Sequence, residues 1–437
     1  MFSEIQKLMG SNFTRFKINT KSYIIEFIAK ILLQLITIPL MIKGWGLNNF
    51  GIWIFLTSIP HILSIANIDV VQAVKQELIL NKNKGIDYLN TLFSNSFSCT
   101  LLNSLIFGIF YSLVFILFFD KFEIINDYKY NNLSSLILLI IFGYFFETIS
   151  QNLLISFDAI GQIKKTVLIN NNFNIVLTLL IAISGFFFSN LIIAALIYCI
   201  ICFLKFLFTA YKVKNNDIKF LINRINYKTI KSIFIISKSY YLNNFSGVIY
   251  LSGINFIIGV FYSAEIVSLV HSLNTMFRWS VSRLSSIFIM PFNYEFPNYF
   301  KDGKYLLLSK LFKAQLRLLI IILSVYLISS ILFGSFIFNI WVEKIFDDFS
   351  VLLILIVVEN TIYIFGNNYL FYLKSINKFY FFSKIDLLLS FFVIISLFFL
   401  GSYNYNIESF IYILLIRSFI ALIILRKSYF LIKKEFN

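Results

Sequence analysis

Charge is scarce in this chain: 13% of its 437 residues are Asp, Glu, Lys or Arg, while 59% are hydrophobic. A soluble globular chain carries about 25% charged residues, so the composition excludes an ordinary water-soluble fold and points to the bilayer as solvent. Cysteine is nearly absent too. Cys99, Cys199 and Cys202 all fall in apolar stretches. Cys199 and Cys202 form C-x-x-C, but no His or carboxylate lies near them, so inert buried thiols are expected rather than a metal or redox centre. No metal and no organic cofactor is expected. The first 22 residues contain no apolar h-region, so no cleaved signal peptide is expected and the first helix is retained.

What is present is a succession of apolar runs. Each crossing of the hydrocarbon core takes about 20 apolar residues. The runs predict an all-α integral membrane protein of about twelve helices, near 22–42, 50–68, 92–119, 133–155, 166–187, 190–210, 233–261, 264–289, 316–336, 350–372, 380–400 and 407–425. Lys and Arg test this partition independently, because they collect in cytoplasmic loops. With both termini inside, the inside segments hold 25 of them and the outside loops four: Lys43, Lys121, Lys129 and Lys344. The formal charge of +16 is therefore scattered between spans. It forms no contiguous water-facing stripe for nucleic acid, and no nucleic-acid partner is expected. The 54 Phe and 25 Tyr are spread along the whole length and carry no functional weight.

The longest outside loops, 120–132 and 337–349, are 13 residues each. Membrane enzymes that act on lipid-linked sugars generally carry a large external loop with catalytic acids, so the short loops argue against an enzyme and for a transporter. The basic segment 212–231 divides the chain into an expected N-terminal bundle of six helices, 1–211, and a C-terminal one, 232–437. Each half opens on a basic stretch followed by a helix with an early lysine, Lys30 and Lys238.

Charges inside spans are the functional candidates, since an ion at the bilayer centre costs about 2.5–3.5 kcal/mol on insertion scales. Lys205, Arg317 and Lys384 lie close enough to a cytoplasmic end to snorkel. In the first helix, Ser22, Glu26, Lys30, Gln34 and Thr37 share one face, which suits a cavity lining. The alternative is that Glu26 and Lys30, an i,i+4 pair, neutralise each other. In the eighth helix His271, Asn274, Thr275, Arg278, Ser282 and Ser285 share a face, as a substrate lumen or a polar seam between helices. Arg283 points away from it and is expected to snorkel or pair elsewhere. Glu359 is a candidate proton or sodium site or a counter-charge, with Tyr363 on its face and Asn360 beside it. Arg417 has apolar neighbours and needs a partner across the bundle, Glu359 being one. Asn170, Asn171, Asn172 and Asn174 line a vestibule or cap their helix, and His61 follows Pro60 at an expected kink. Because the deep candidates are more cationic than acidic, an anionic cargo is favoured, and arginine's planar fork suits phosphate.

Pro39-Leu-Met-Ile-Lys-Gly-Trp-Gly-Leu-Asn-Asn-Phe-Gly-Ile-Trp53, then Ala66-Asn-Ile-Asp69 and Ala73-Val-Lys-Gln-Glu77, is similar to the N-terminal pattern of Wzx-type polysaccharide flippases. Pro291-Phe-Asn-Tyr-Glu295, Asp302-Gly303 and Ile340-Trp341 resemble that family's C-terminal half. The chain departs from the pattern at Val70 and at Lys43-Gly44. The resemblance implies a V-shaped pair of six-helix bundles, as in multidrug and toxin extrusion (MATE) exporters, in the bacterial cytoplasmic membrane. It implies translocation of an undecaprenyl-pyrophosphate-linked oligosaccharide repeat unit, for O-antigen or related polysaccharide, coupled to H+ or Na+. Membrane lipid, the polysaccharide polymerase and chain-length proteins are the partners it implies. Lys30, Lys238 and Arg278 match the family's cationic lining. The other reading of the same residues is a cation-coupled exporter of amphiphilic drugs, which favours an acidic lumen.

Overall fold

The computed structural model describes residues 13–63, most of 71–78, and 84–118, 133–159, 162–214, 225–248, 252–342, 349–376, 378–403 and 405–435. Side chains are described from Ile31 onward, except at scattered positions. The described residues are almost wholly helical. Where lipid replaces water, each backbone N–H and C=O must be paired within its own segment, and a helix does this for any apolar run. The helices are α1 (Phe13–Leu63), α2 (Ile86–Phe118), α3 (Leu133–Ala159), α4 (Ile163–Phe188), α5 (Leu191–Lys214), α6 (Tyr227–Val248), α7 (Ile254–Phe261) and α8 (Ala264–Leu273). A π-helical segment, Asn274–Trp279, follows, then α9 (Ser280–Lys301), α10 (Tyr305–Trp341), α11 (Ser350–Ser375), α12 (Tyr380–Ser402) and α13 (Ile407–Glu435).

Among the described residues nine helices are long and apolar enough to cross a membrane. The expected twelve differ from these in two ways. The first two expected spans both lie in α1, as two helical arms that meet at a kink at Gly46, where φ 73° and ψ 169° interrupt the helical backbone. That conformation is open to glycine alone. The expected seventh and eighth spans are not among the nine: residues 249–251 of the seventh lie outside the described residues, and a π-helical segment interrupts the run from α8 into α9.

The chain forms two compact units, Met1–Pro39 with Leu269–Asn437, and Leu40–Ser268. Their boundaries fall inside α1 and α8, not at the expected linker 212–231, of which 215–224 lies outside the described residues. In the first unit α11 packs most extensively on α13, and α10 packs on α9 and α11. Along α10 the large apolar side chains Ile321, Val325, Ile328, Leu332 and Phe336 are exposed, whereas Gln315, Leu319, Leu323 and Ser330 are buried. An exposed face of large apolar side chains is the pattern that lipid selects, since they lose nothing there by facing outward. In the second unit α3 packs closely on α5. There Ser268 donates a 2.5 Å hydrogen bond to the Leu47 carbonyl. A Cβ at Gly51 would overlap the Ala264 backbone, so α1 and α8 touch main chain to main chain.

Candidate functional site

Two buried carboxylates of the first unit, Asp386 and Glu359, meet α13, whose adjacent residues Arg417 and Ser418 point to different neighbours. One residue along a helix turns the side chain by about 100°. Arg417 Nη2 therefore reaches α12, 2.8 Å from Asp386 Oδ1 and 3.2 Å from Ser390 Oγ. Asp386 and Ser390 are four residues apart and share a face, and the Ser390 hydroxyl donates back to the Asp386 carbonyl at 2.9 Å. Ser418 reaches α11, donating a 2.6 Å hydrogen bond to Glu359 Oε1.

The other carboxylate oxygen of Glu359 meets Arg278 from the π-helical segment, Nη2 to Oε2 at 3.8 Å, longer than a hydrogen bond. The Arg278 guanidinium lies 4.7 Å above the ring of Tyr363, one turn along α11 from Glu359. Arg278 is 5% exposed and Glu359 2%. Two arginines and two carboxylates thus neutralise one another inside a single unit. This satisfies the rule that buried charge is paired, and the partner that Arg417 needs across the bundle, for which Glu359 is one candidate, includes Asp386.

The π-helical segment accounts for a second difference. The expected polar face from His271 to Ser285 assumed 3.6 residues per turn throughout, but the segment Asn274–Trp279 winds wider. Thr275, Arg278 and Ser285 are buried, while His271, Asn274 and Ser282 are half-buried, so the stripe is not one uniform face. Arg283 pairs with the first helix: its Nη1 donates to Gln34 Oε1 at 3.2 Å, and its guanidinium lies 5.7 Å from the Trp279 ring. Gln34 and Thr37 of the expected α1 stripe are half-buried and buried. The side chains of Glu26, Lys30 and His61 lie outside the described residues.

In the second unit Lys205 does not snorkel. It is 1% exposed, and its Nζ lies 2.7 Å from Glu147 Oε1. Gln151 donates to the same oxygen at 2.7 Å and exchanges hydrogen bonds of 3.1 and 3.2 Å with Asn170. Asn170 stands two turns inside α4, which begins at Ile163, so it braces this network and does not cap the helix. A cavity of about 230 Å³ opens in the same unit, lined among others by Trp53, Thr57, Tyr144, Thr178 and Tyr198, with no charged residue on its wall among the described residues. Lys238 is exposed on α6. Sequence reasoning missed one seam: Asn152 of α3 donates to Ser96 Oγ at 2.9 Å and Thr100 Oγ1 at 2.7 Å on α2. Among the described residues no group of three or more His, Cys, Asp or Glu is placed to hold a metal.

No protein-family model matches the sequence, and no curated protein does. The fold has relatives among solved structures. The chain is similar to the inward-facing form of a multidrug-resistance MATE-family transporter of the MOP superfamily, with TM-score 0.65 and 12% identity over 92% of this chain and 94% of that one. It is similar to a MOP-superfamily transporter from Pyrococcus furiosus described as having a binding pocket of reversed polarity, with TM-score 0.62 and 14% identity over 99% and 98%. A Vibrio cholerae MATE transporter in its bent form gives TM-score 0.62 and 12% identity over 99% of both chains. The fold is therefore that of the MATE transporters.

Proposed function

We propose that the protein is a bacterial cytoplasmic-membrane flippase. In this reading it moves an undecaprenyl-pyrophosphate-linked oligosaccharide repeat unit to the outer leaflet by alternating access, without making or breaking a bond. The observation that carries the reading is Arg278. It is a guanidinium buried in a helical unit of membrane character, next to a carboxylate whose short hydrogen bond goes to Ser418 instead. A pyrophosphate offers several charged oxygens to a planar donor fork and forms shorter, stronger bonds than a 3.8 Å ion contact. It competes for Arg278, while the prenyl chain stays in lipid and the headgroup crosses among the helices. Glu359, relieved of its cation, then takes up a proton, which couples the cycle to a proton gradient. Lys30 and Lys238 complete the cationic lining in this proposal, with His271 and Asn274 as neutral hydrogen-bonding groups. Glu26 tempers the charge of Lys30.

The resemblance of the sequence to Wzx-type flippases supports this reading, as does a fold that accommodates pockets of more than one polarity. The polysaccharide polymerase and chain-length proteins are the protein partners it entails. A second reading, a cation-coupled exporter of amphiphilic drugs, is favoured by the two buried carboxylates Glu359 and Asp386 and by the multidrug transporters among the fold's relatives.

The test is complementation. A cell deleted for its own repeat-unit flippase, given this chain and the matching glycan pathway, is expected to regain surface polysaccharide. Accumulation of lipid-linked units on the inner leaflet despite normal membrane insertion, together with efflux of cationic dyes, would establish the exporter reading instead.

A further inference from the structure

The seam between α10 and α11 contains polar side chains that the protein does not satisfy. Gln315 and Asn368 are at most 2% exposed, and both polar atoms of each amide are buried without a protein hydrogen-bond partner; Asn360 is equally buried, with the Tyr326 hydroxyl as its hydrogen-bonding neighbour. A buried polar group left unsatisfied costs about 1–3 kcal/mol. Four such atoms on two packed helices would cost several times that. Folded proteins meet such demands with internal water, typically one molecule per two to four polar groups.

The positions are ordered along the seam. Tyr326 lies beside Asn360 and Ser330 and within electrostatic reach of Glu359 and Arg278. Leu319 and Leu323 share a cluster with Ile364. Residue numbers therefore rise along α10 as they fall along α11, and Gln315 lies at the same end as Asn368. Asn360, Ile364 and Asn368 follow at steps of four on one side of α11 and span about 12 Å. Gln315 and Tyr326, eleven residues apart, fall on one side of α10 and span about 16 Å. The line leads from the end where Tyr305 and Ser375 lie up to the Glu359 carboxylate. The groups that face Glu359 there are Arg278 from the π-helical segment, Ser418 from α13, Tyr326 from α10 and Tyr363 from its own helix.

We propose that the α10–α11 seam is a file of bound water that joins Glu359 to the end of these helices marked by Gln315 and Asn368. Each amide serves as a hydrogen-bonding station, and Ile364 is the apolar step between two of them. Such a file supplies Glu359 with exchangeable protons whatever the cargo, so the inference stands apart from the identity of the substrate.

Hydroxyl-radical labelling of the full-length protein in lipid vesicles, read by mass spectrometry, reports water beside side chains directly. Ile364 and Tyr326 are expected to label severalfold faster than Leu373 and Tyr372. Those two are buried in the same helical unit, Tyr372 within a cluster of aromatic rings that includes Phe296, Phe312 and Tyr429. In the double variant Gln315→Met, Asn368→Leu, which keeps volume and removes the amides, labelling at Ile364 is expected to fall severalfold with the rest of the pattern unchanged. Wild-type labelling at Ile364 no faster than at Leu373 would overturn the proposal. So would a folded double variant whose labelling at Ile364 equals wild type.

Discussion

Arg417 bonds Asp386 on α12, while its sequence neighbour Ser418 bonds Glu359 on α11. One turn of α13 thus ties together the buried carboxylates Glu359 and Asp386. The Asp386–Arg417 pair is direct, at 2.8 Å, and removing one partner strands a buried charge. Breaking such a pair costs about 3–5 kcal/mol, whereas replacing both partners by apolar residues is often neutral or stabilising. Asp386→Leu is therefore expected to lower the thermal unfolding temperature in detergent clearly, and Asp386→Leu with Arg417→Leu to recover most of the loss. A double variant as unstable as the single one would mean that Arg417 holds the fold through other contacts.

The Lys205–Glu147 pair makes a parallel case in the second unit, with one difference. Glu147 also accepts from Gln151, and Gln151 is held by Asn170. Glu147→Gln preserves an acceptor for both donors and loses only the charge. Lys205→Met leaves Glu147 with a neutral donor only. Both variants lose stability, and the difference between them measures how far Gln151 alone solvates the carboxylate. Glu147 is partly exposed, so Lys205→Met is expected to be the milder change, because water reaches the stranded carboxylate but not the stranded Lys205 ammonium. Thermal unfolding of the two variants side by side checks the order.

These pairs show where sequence reasoning stops. Apolar runs locate helices because each helix satisfies its own backbone, and α3, α4, α5, α11, α12 and α13 lie close to their expected ranges. Pairing between helices depends on depth and rotation, which spacing along one helix does not encode. Arg417 was legible as needing a partner. That Asp386, 31 residues away, supplies its direct hydrogen bond follows from how α13 turns between α11 and α12. Lys205 misled for a related reason: closeness to a span's end permits snorkelling, but Glu147 on the neighbouring α3 offered a nearer counter-charge. The π-helical segment had no legible signal, since Asn274–Trp279 fits an ordinary helical pattern and its extra residue per turn appears only in the backbone.

The bend at Gly46 yields a prediction about α1. Its φ of 73° with ψ of 169° is a region that costs a residue with a Cβ about 1–3 kcal/mol, although no atom lies within 4 Å of where that Cβ would be. Gly46→Ala is expected to destabilise through the backbone alone. Gly247→Ala, inside α6 and also in open space, is expected to be neutral or slightly stabilising because alanine favours helix. Gly51→Ala, which presses against the Ala264 backbone, is expected to lose the most folded protein. The yields of monodisperse protein after purification rank the three.

Arg278 is where fold and function must be separated, because Arg278→Ala alone leaves Glu359 buried without its counter-charge and can fail for that reason. The double variant Arg278→Ala, Glu359→Gln removes both charges, while the amide still accepts from Ser418. It is expected to unfold near the wild-type temperature and to carry no lipid-linked oligosaccharide. Arg278→Lys keeps the charge above Tyr363 but loses the planar fork, and it is expected to restore part of the transport. Glu359→Gln alone leaves Arg278 free of its carboxylate. It is expected to bind the anionic headgroup more tightly yet turn over slowly, because nothing draws the guanidinium back. Headgroup affinity measured beside flux distinguishes this set from a purely structural pair, for which affinity would follow stability in every variant. Wild-type flux in the folded double variant would remove Arg278 from the transport cycle altogether.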